Sequence, residues 1–120
     1  MPESRSSPNT TLPLTPAAFH IMLVLVGGEN HGYAIMREVA EHTQGKMRLG
    51  PGSLYGTIKR MLADGWIEET DERPDPALDD ERRRYYRLTG VGRKVVQAEA
   101  VRLEQLVAIA RKKRLLRSPG

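Results

Sequence analysis

From Ala17 to Val26 the chain reads AAFHIMLVLV, apolar at every position except His20. A helix that is apolar on all sides is a buried one, so this segment is expected to be the central helix of the core. Thr15 and Pro16 mark its start: a hydroxyl able to accept from the free amides of the first turn, then a proline whose missing N–H costs nothing there. Gly27-Gly28 marks its end. The spacing then changes. From His31 to about Thr43, Gly32, Ile35, Met36 and Val39 share one face of a 3.6-residue period, with Arg37, Glu38 and Glu41 turned away. This predicts a second, amphipathic helix, closed by Gln44-Gly45. Met47 to Leu49 reads as extended, because Pro51 disfavours helical backbone at Gly50. A third helix starts near Pro51 or Gly52 and ends at Asp64-Gly65, with Leu54, Ile58, Met61 and Leu62 on its inner face.

Trp66 to about Asp71 alternates and reads as a strand. Glu72 to Glu81 is charged and holds two prolines, as a hairpin tip would, and Arg83 to Thr89 is the return strand. Thr89-Gly90 opens a last helix that runs past Arg114. Met1 to Leu14 has no periodicity and is rich in Ser, Pro, Thr and Asn, so it reads as a disordered arm. The order of elements predicts a mostly α fold with a small β-hairpin: a winged helix-turn-helix followed by a C-terminal dimerisation helix. The expected division is 1–14 for the arm, 15–89 for the winged helix-turn-helix and 90–116 for the dimerisation helix.

At 120 residues the chain suits one domain. It has no cysteine, which excludes disulfides and thiolate metal sites and fits a reducing cytoplasm, the expected location. The N-terminus is polar rather than basic then apolar, unlike a signal peptide. The longest apolar run is far too short to span a bilayer, so no membrane partner is expected. The net charge of +4 favours a polyanionic partner, and its distribution says more. Glu68 to Glu81 carries eight acids against Arg73 alone, Arg82 to Lys94 six bases and no acid, and Arg111 to Arg117 is again basic.

With Leu54 inward, the outer face of the third helix holds Gly52, Ser53, Gly56, Lys59, Arg60 and Ala63, with Tyr55 on its flank. Gly56 costs about 1 kcal/mol against alanine in a helix interior. That cost makes sense where the backbone must approach another surface closely. A hydroxyl, a phenol and two cations surround it, groups that reach phosphates and base edges. Double-stranded DNA is therefore the expected partner. Ser53, Tyr55, Gly56, Lys59 and Arg60 would contact it from the helix, and Arg82, Arg83, Arg84 and Arg87 from the return strand. Tyr86, Leu88 and Ile67 are expected to cover the core. In the last helix Val96, Ala100, Leu103, Val107 and Ala110 are spaced 4, 3, 4, 3. Val91, Val95 and Ala98 can serve the chain's own core, so this seam is read as the contact between two copies, a homodimer.

Other chemistry finds little support. Gly50 to Gly56 has the spacing GxGxxxG without a βαβ unit, so it is not a dinucleotide loop. Ser53 lacks a GxSxG context, and His20, His31 and His42 form no metal-ligand pair. The chain is not expected to be an enzyme, and no cofactor is expected. His31 is expected to cap its helix, and His20 to lie in the core or an interface. Trp66 is by default a hydrophobic plug, with a stacking platform for a small aromatic effector as its candidate binding role. The acidic hairpin tip favours an alternative: a winged-helix protein-interaction module that does not bind DNA.

Four segments, HGYAIMREV (His31 to Val39), GPGSLYGTIKRML (Gly50 to Leu62), DGWIEE (Asp64 to Glu69) and RRRYYRLTGVGRK (Arg82 to Lys94), resemble the PadR family of bacterial transcriptional regulators. The resemblance runs from about Leu14 to Arg114. It implies a winged helix-turn-helix, a homodimer formed through the last helix, and repression at a palindromic operator. It also implies that Pro51, Gly52, Ser53, Leu54 and Tyr55 open the recognition helix, which goes on to Lys59 and Arg60, and that the preceding helix from His31 to Tyr33 supports it. The single helix after the hairpin resembles the short type of the family. Some members sense phenolic acids or drugs.

Overall fold

In the computed structural model, residues 12–70 and 84–117 are described. They form α1 (Pro16–Val26), β1 (Asn30–His31), α2 (Gly32–His42), α3 (Pro51–Ala63), β2 (Ile67–Thr70), β3 (Tyr85–Leu88) and α4 (Gly90–Lys112). The chain is a mostly helical winged helix with one small sheet. The expected hairpin tip and the greater part of the arm, residues 1–11, lie outside the described residues.

The local signals act as expected. The Thr15 hydroxyl accepts from the Ala18 N–H at 3.1 Å, and Pro16 opens α1. α2 ends where Gln44 and Gly45 take positive φ, 52° and 79°. Ile21, Met22 and Leu25 of α1 are buried with Ile35 and Val39 of α2 and Leu54, Ile58 and Met61 of α3. Ile67 and Tyr86 close the core on the sheet side, and Leu88 packs against it. α1 is not buried all round: Leu23 and Val26 are exposed, on the side where α1 meets α4.

Four expectations are corrected. The sheet has three strands in the order β1-β3-β2, all antiparallel, so the return strand is central and not an edge. Two residues ahead of α2 pair with it, Asn30 with Tyr86 and His31 with Tyr85, a length too short for any periodicity to reveal. The last helix stops at Lys112, because Arg114 takes the left-handed φ of 66°, which no helix continues through. Leu12 and Leu14 do not belong to an arm: Leu12 packs against the core and Leu14 is part of it. Finally, the phase of α4 is rotated. Its buried stripe is Gly92, Val95, Val96 and Glu99, so Val96 leaves the expected seam for the chain's own core, while Val91 turns to solvent.

Glu99 is the surprise of that stripe. Its side chain is 3% exposed and bound twice by Arg102, Nε to Oε1 at 2.7 Å and Nη2 to Oε2 at 2.9 Å. Oε2 also accepts the Leu14 N–H at 3.3 Å, from 85 residues away. The Arg102 hydrogen bonds, helped by the Leu14 amide, hold the carboxyl below its ordinary pKa against the opposing pull of burial.

The start of α4 is fixed to the start of β2 by a tight knot. The Thr89 N–H donates to the Trp66 carbonyl at 3.0 Å. The Thr89 hydroxyl donates to the Gly65 carbonyl at 2.6 Å and accepts the Gly92 N–H at 3.0 Å. Gly92 lies so close that a Cβ there would collide with the Trp66 carbonyl.

Candidate functional site

Leu54, Ile58 and Met61 turn one side of α3 into the core, and the opposite side is left to solvent. That exposed side is the expected one: Gly52, Ser53, Gly56, Lys59, Arg60 and Ala63. It carries two cations and no acid before Asp64. An added Cβ at Gly52 or Gly56 would meet nothing within 4 Å, so the chain's own packing does not require either glycine. The first turn of α3 has Gly50 as N-cap and Pro51 behind it, with no side chain capping its amides. Those N–H groups and the positive end of the helix dipole face outward.

Beside this face runs a groove of about 590 Å³. Pro13, Leu14 and Thr15 form one wall, and Ser53, Gly56 and Arg60 of α3 the other. Thr57, missed as a site residue, lines it as well, and its hydroxyl donates back to the Ser53 carbonyl at 2.9 Å. A hydroxyl four residues after an exposed serine was the available signal.

Tyr55 is corrected. Tyr55 does not flank the outer face; it packs against the core, and its hydroxyl end fills the space a Cβ of Gly32 would take. The glycine at the start of α2 thereby lets α3 come close, which makes Tyr55 a spacer between the two helices. Trp66 is 7% exposed and belongs to the core cluster, in keeping with a hydrophobic plug, and it also borders the groove beside α3.

Lys59 and Arg60 are exposed as expected, and Arg84 and Arg87 project from the sheet, but the latter two stand beside acids of β2. Arg87 Nε reaches Glu68 Oε2 at 2.8 Å, across a directly paired register, and Arg84 Nη1 lies 3.7 Å from Glu69 Oε2. All four side chains are roughly half exposed, and such surface pairs hold by about 1 kcal/mol or less, so a competing phosphate can break them. Arg82 and Arg83 lie outside the described residues. Of the expected seam, Ala100 and Val107 are exposed, Leu103 and Ala110 are half-buried, and Val101, Leu106 and Ile109 add to an apolar surface on the same half of α4.

His31 joins the helices to the sheet. Its Nδ1 accepts the Ala34 N–H at 3.2 Å as the N-cap of α2, and its ring meets Tyr85 edge-on at 5.3 Å. Burial, and then Arg37, lower its pKa from the usual 6.5. The folded state thus binds fewer protons than the unfolded one just below that value, and stability rises with pH through this window. The contribution is complete above pH 6.5 and is lost as pH falls below it. Urea unfolding at pH 8 and at pH 5.5 should show this loss. His31→Asn, which can still cap but does not titrate there, should show less of it. An equal loss in both proteins would remove His31 as the cause. His20 is half-buried, outside the core cluster, and its Nδ1 has no partner among the described residues.

Among the described residues no group of His, Asp or Glu could hold a metal ion, and no helix is long and apolar enough to cross a membrane. A family model described as the transcriptional regulator PadR-like family matches residues 21–98. The transcriptional regulator Rv3488 of Mycobacterium tuberculosis is 33% identical over 87 residues, which is 72% of this chain and 75% of that protein. An uncharacterised 37.1 kDa protein in transposon TN4556 of Streptomyces fradiae is 35% identical over 86 residues; the match spans 72% of this chain but only 22% of that protein. Bacillus subtilis PadR, solved in complex with operator DNA, shares the fold with a TM-score of 0.60 and 21% identity, over 72% of this chain and 47% of that one.

Proposed function

Because the chain belongs to the transcriptional regulator PadR-like family, we propose that it is a DNA-binding repressor that acts as a homodimer on a palindromic operator. The observation that carries this reading is the exposed face of α3, with bare backbone at Gly52 and Gly56 flanked by Ser53, Lys59 and Arg60. A helix face without a Cβ at its centre can lie deep in a major groove, where Lys59 and Arg60 reach base edges and the Ser53 hydroxyl reaches a phosphate. Arg84 and Arg87 exchange their carboxylates for phosphates of the flanking backbone. The apolar half of α4, with Ala100, Leu103, Val107 and Ala110, pairs with its counterpart in a second copy. Two α3 helices then stand roughly 34 Å apart, one turn of the double helix.

In this reading residues 15–89 bind DNA, and the part of the 90–116 segment from Ala100 onward joins the copies, its first turns packing on the chain's own core. The Arg87–Glu68 and Arg84–Glu69 pairs favour a second reading, a winged helix that serves a protein partner, since both described arginines of the return-strand segment already face acids. Fluorescence anisotropy separates the two. A duplex enriched by the protein from a random pool should bind about 10³-fold or more tighter than a scrambled duplex at physiological salt. Its affinity should fall steeply with salt, at two chains per site. Weak and equal binding to both duplexes would overturn the DNA reading.

A further inference from the structure

We infer that Glu99 is a positioning residue for the DNA-facing surface, acting through the strap Leu12–Thr15. This rests on the DNA-binding reading. The strap runs directly into the N-cap of α1, and its residues Pro13, Leu14 and Thr15 form the groove wall that faces Ser53, Gly56 and Arg60. What fixes the strap from behind is the Glu99 carboxylate, which accepts the Leu14 N–H while Arg102 holds both of its oxygens.

A carboxylate is an expensive way to fill that position. Burying a charge costs desolvation that its partners only offset, and an apolar side chain of similar size often serves stability as well or better. A charge gives something a leucine cannot, a directional link between one oxygen and one backbone amide. The place of the link in α4 gives it meaning. Glu99 is the last buried residue of the helix, and the apolar surface proposed to meet a second copy begins at Ala100. A small rotation of α4 about its axis moves the Glu99 oxygens and with them the strap. The angle between two copies is thereby expressed as the width of the groove beside α3.

A purely structural carboxylate would affect the fold but have no preference among DNA contacts. The test is therefore a pair of double-mutant cycles on DNA affinity, with the enriched duplex as probe. Glu99→Gln keeps size and an acceptor but loses the charge that Arg102 grips. It should weaken binding by about fivefold, and with Arg60→Ala, on the facing wall, the losses should fall short of their product by threefold or more. With Arg84→Ala, on the sheet, the losses should multiply. Leu14 amide hydrogen exchange, measured without DNA, should speed up in Glu99→Gln. If Glu99→Gln does not fold, Arg102→Gln, on a side chain about one-third exposed, loosens the same carboxylate and takes its place. Simple multiplication in both cycles, or unchanged Leu14 exchange, would overturn the inference while leaving the repressor reading intact. Failure of the unaltered protein to prefer its enriched duplex would overturn both.

Discussion

Gly92→Ala is expected to be the most damaging single-methyl change in this protein. The new Cβ would run into the Trp66 carbonyl, a backbone atom that is itself fixed by the Thr89 N–H. A flexible side chain could swing aside, but here either α4 must lift off or β2 must shift. Overpacking of this kind costs about 3 kcal/mol. For a domain of this size that lowers the thermal midpoint by roughly 12–24 °C. Calorimetry on Gly92→Ala checks it, with Gly56→Ala as the control of opposite sign. Nothing surrounds Gly56, so a methyl there should stabilise α3 by about 1 kcal/mol through helix propensity alone. A midpoint for Gly92→Ala within a few degrees of the parent would mean that the α4–β2 junction is looser than its geometry indicates.

The second large effect is on DNA. Arg60→Ala and Lys59→Ala should each weaken binding to the enriched duplex. If one of them reads a guanine, its loss should cost about 1–3 kcal/mol, and the base preference at one operator position should relax. Arg60 is the stronger candidate, because it both lines the groove and stands on the exposed face of α3. Competition anisotropy against a panel of single-base variants of the duplex reads affinity and preference together. Unchanged affinity in both variants would remove α3 as the reading helix. The Gly56→Ala control gains a second use here: a protein that is more stable yet binds DNA less well would show that the bare helix face serves the partner, not the fold.

Much of this was legible in the sequence because the signals were local. Thr15-Pro16 starts α1 through a cap and a fixed φ, Gln44-Gly45 ends α2 through left-handed backbone, and the spacing of Leu54, Ile58 and Met61 turns α3 so that its glycines face out. What was missed depended on contacts across the chain. β1 exists only because β3 arrives to pair with it. Tyr55 sat at the border between the inner and outer faces of α3, and the missing side chain of Gly32 on another helix drew it inward. The phase of α4 differs by a partial turn from the one that puts Val91, Val95 and Ala98 inward. The stripe Gly92, Val95, Val96, Glu99 has the right i, i+3, i+4, i+7 spacing, but it ends on an acid, which hydrophobic patterning does not place inside. Only the arginine three residues on and an amide 85 residues away make that acid acceptable inside.

The three-stranded sheet also governs how copies of the chain avoid one another. Both edges of its central strand are already paired, leaving β1, two residues long, and β2, four residues with Glu68 and Glu69 exposed, as the outer borders. A short border, or one that carries charge, gives a foreign strand few amides to bond and repels others like itself. At high protein concentration, strand addition is therefore a poor route to clumping. In the proposed homodimer, self-association uses the helical surface of α4 instead, where a closed pair can form and growth can stop.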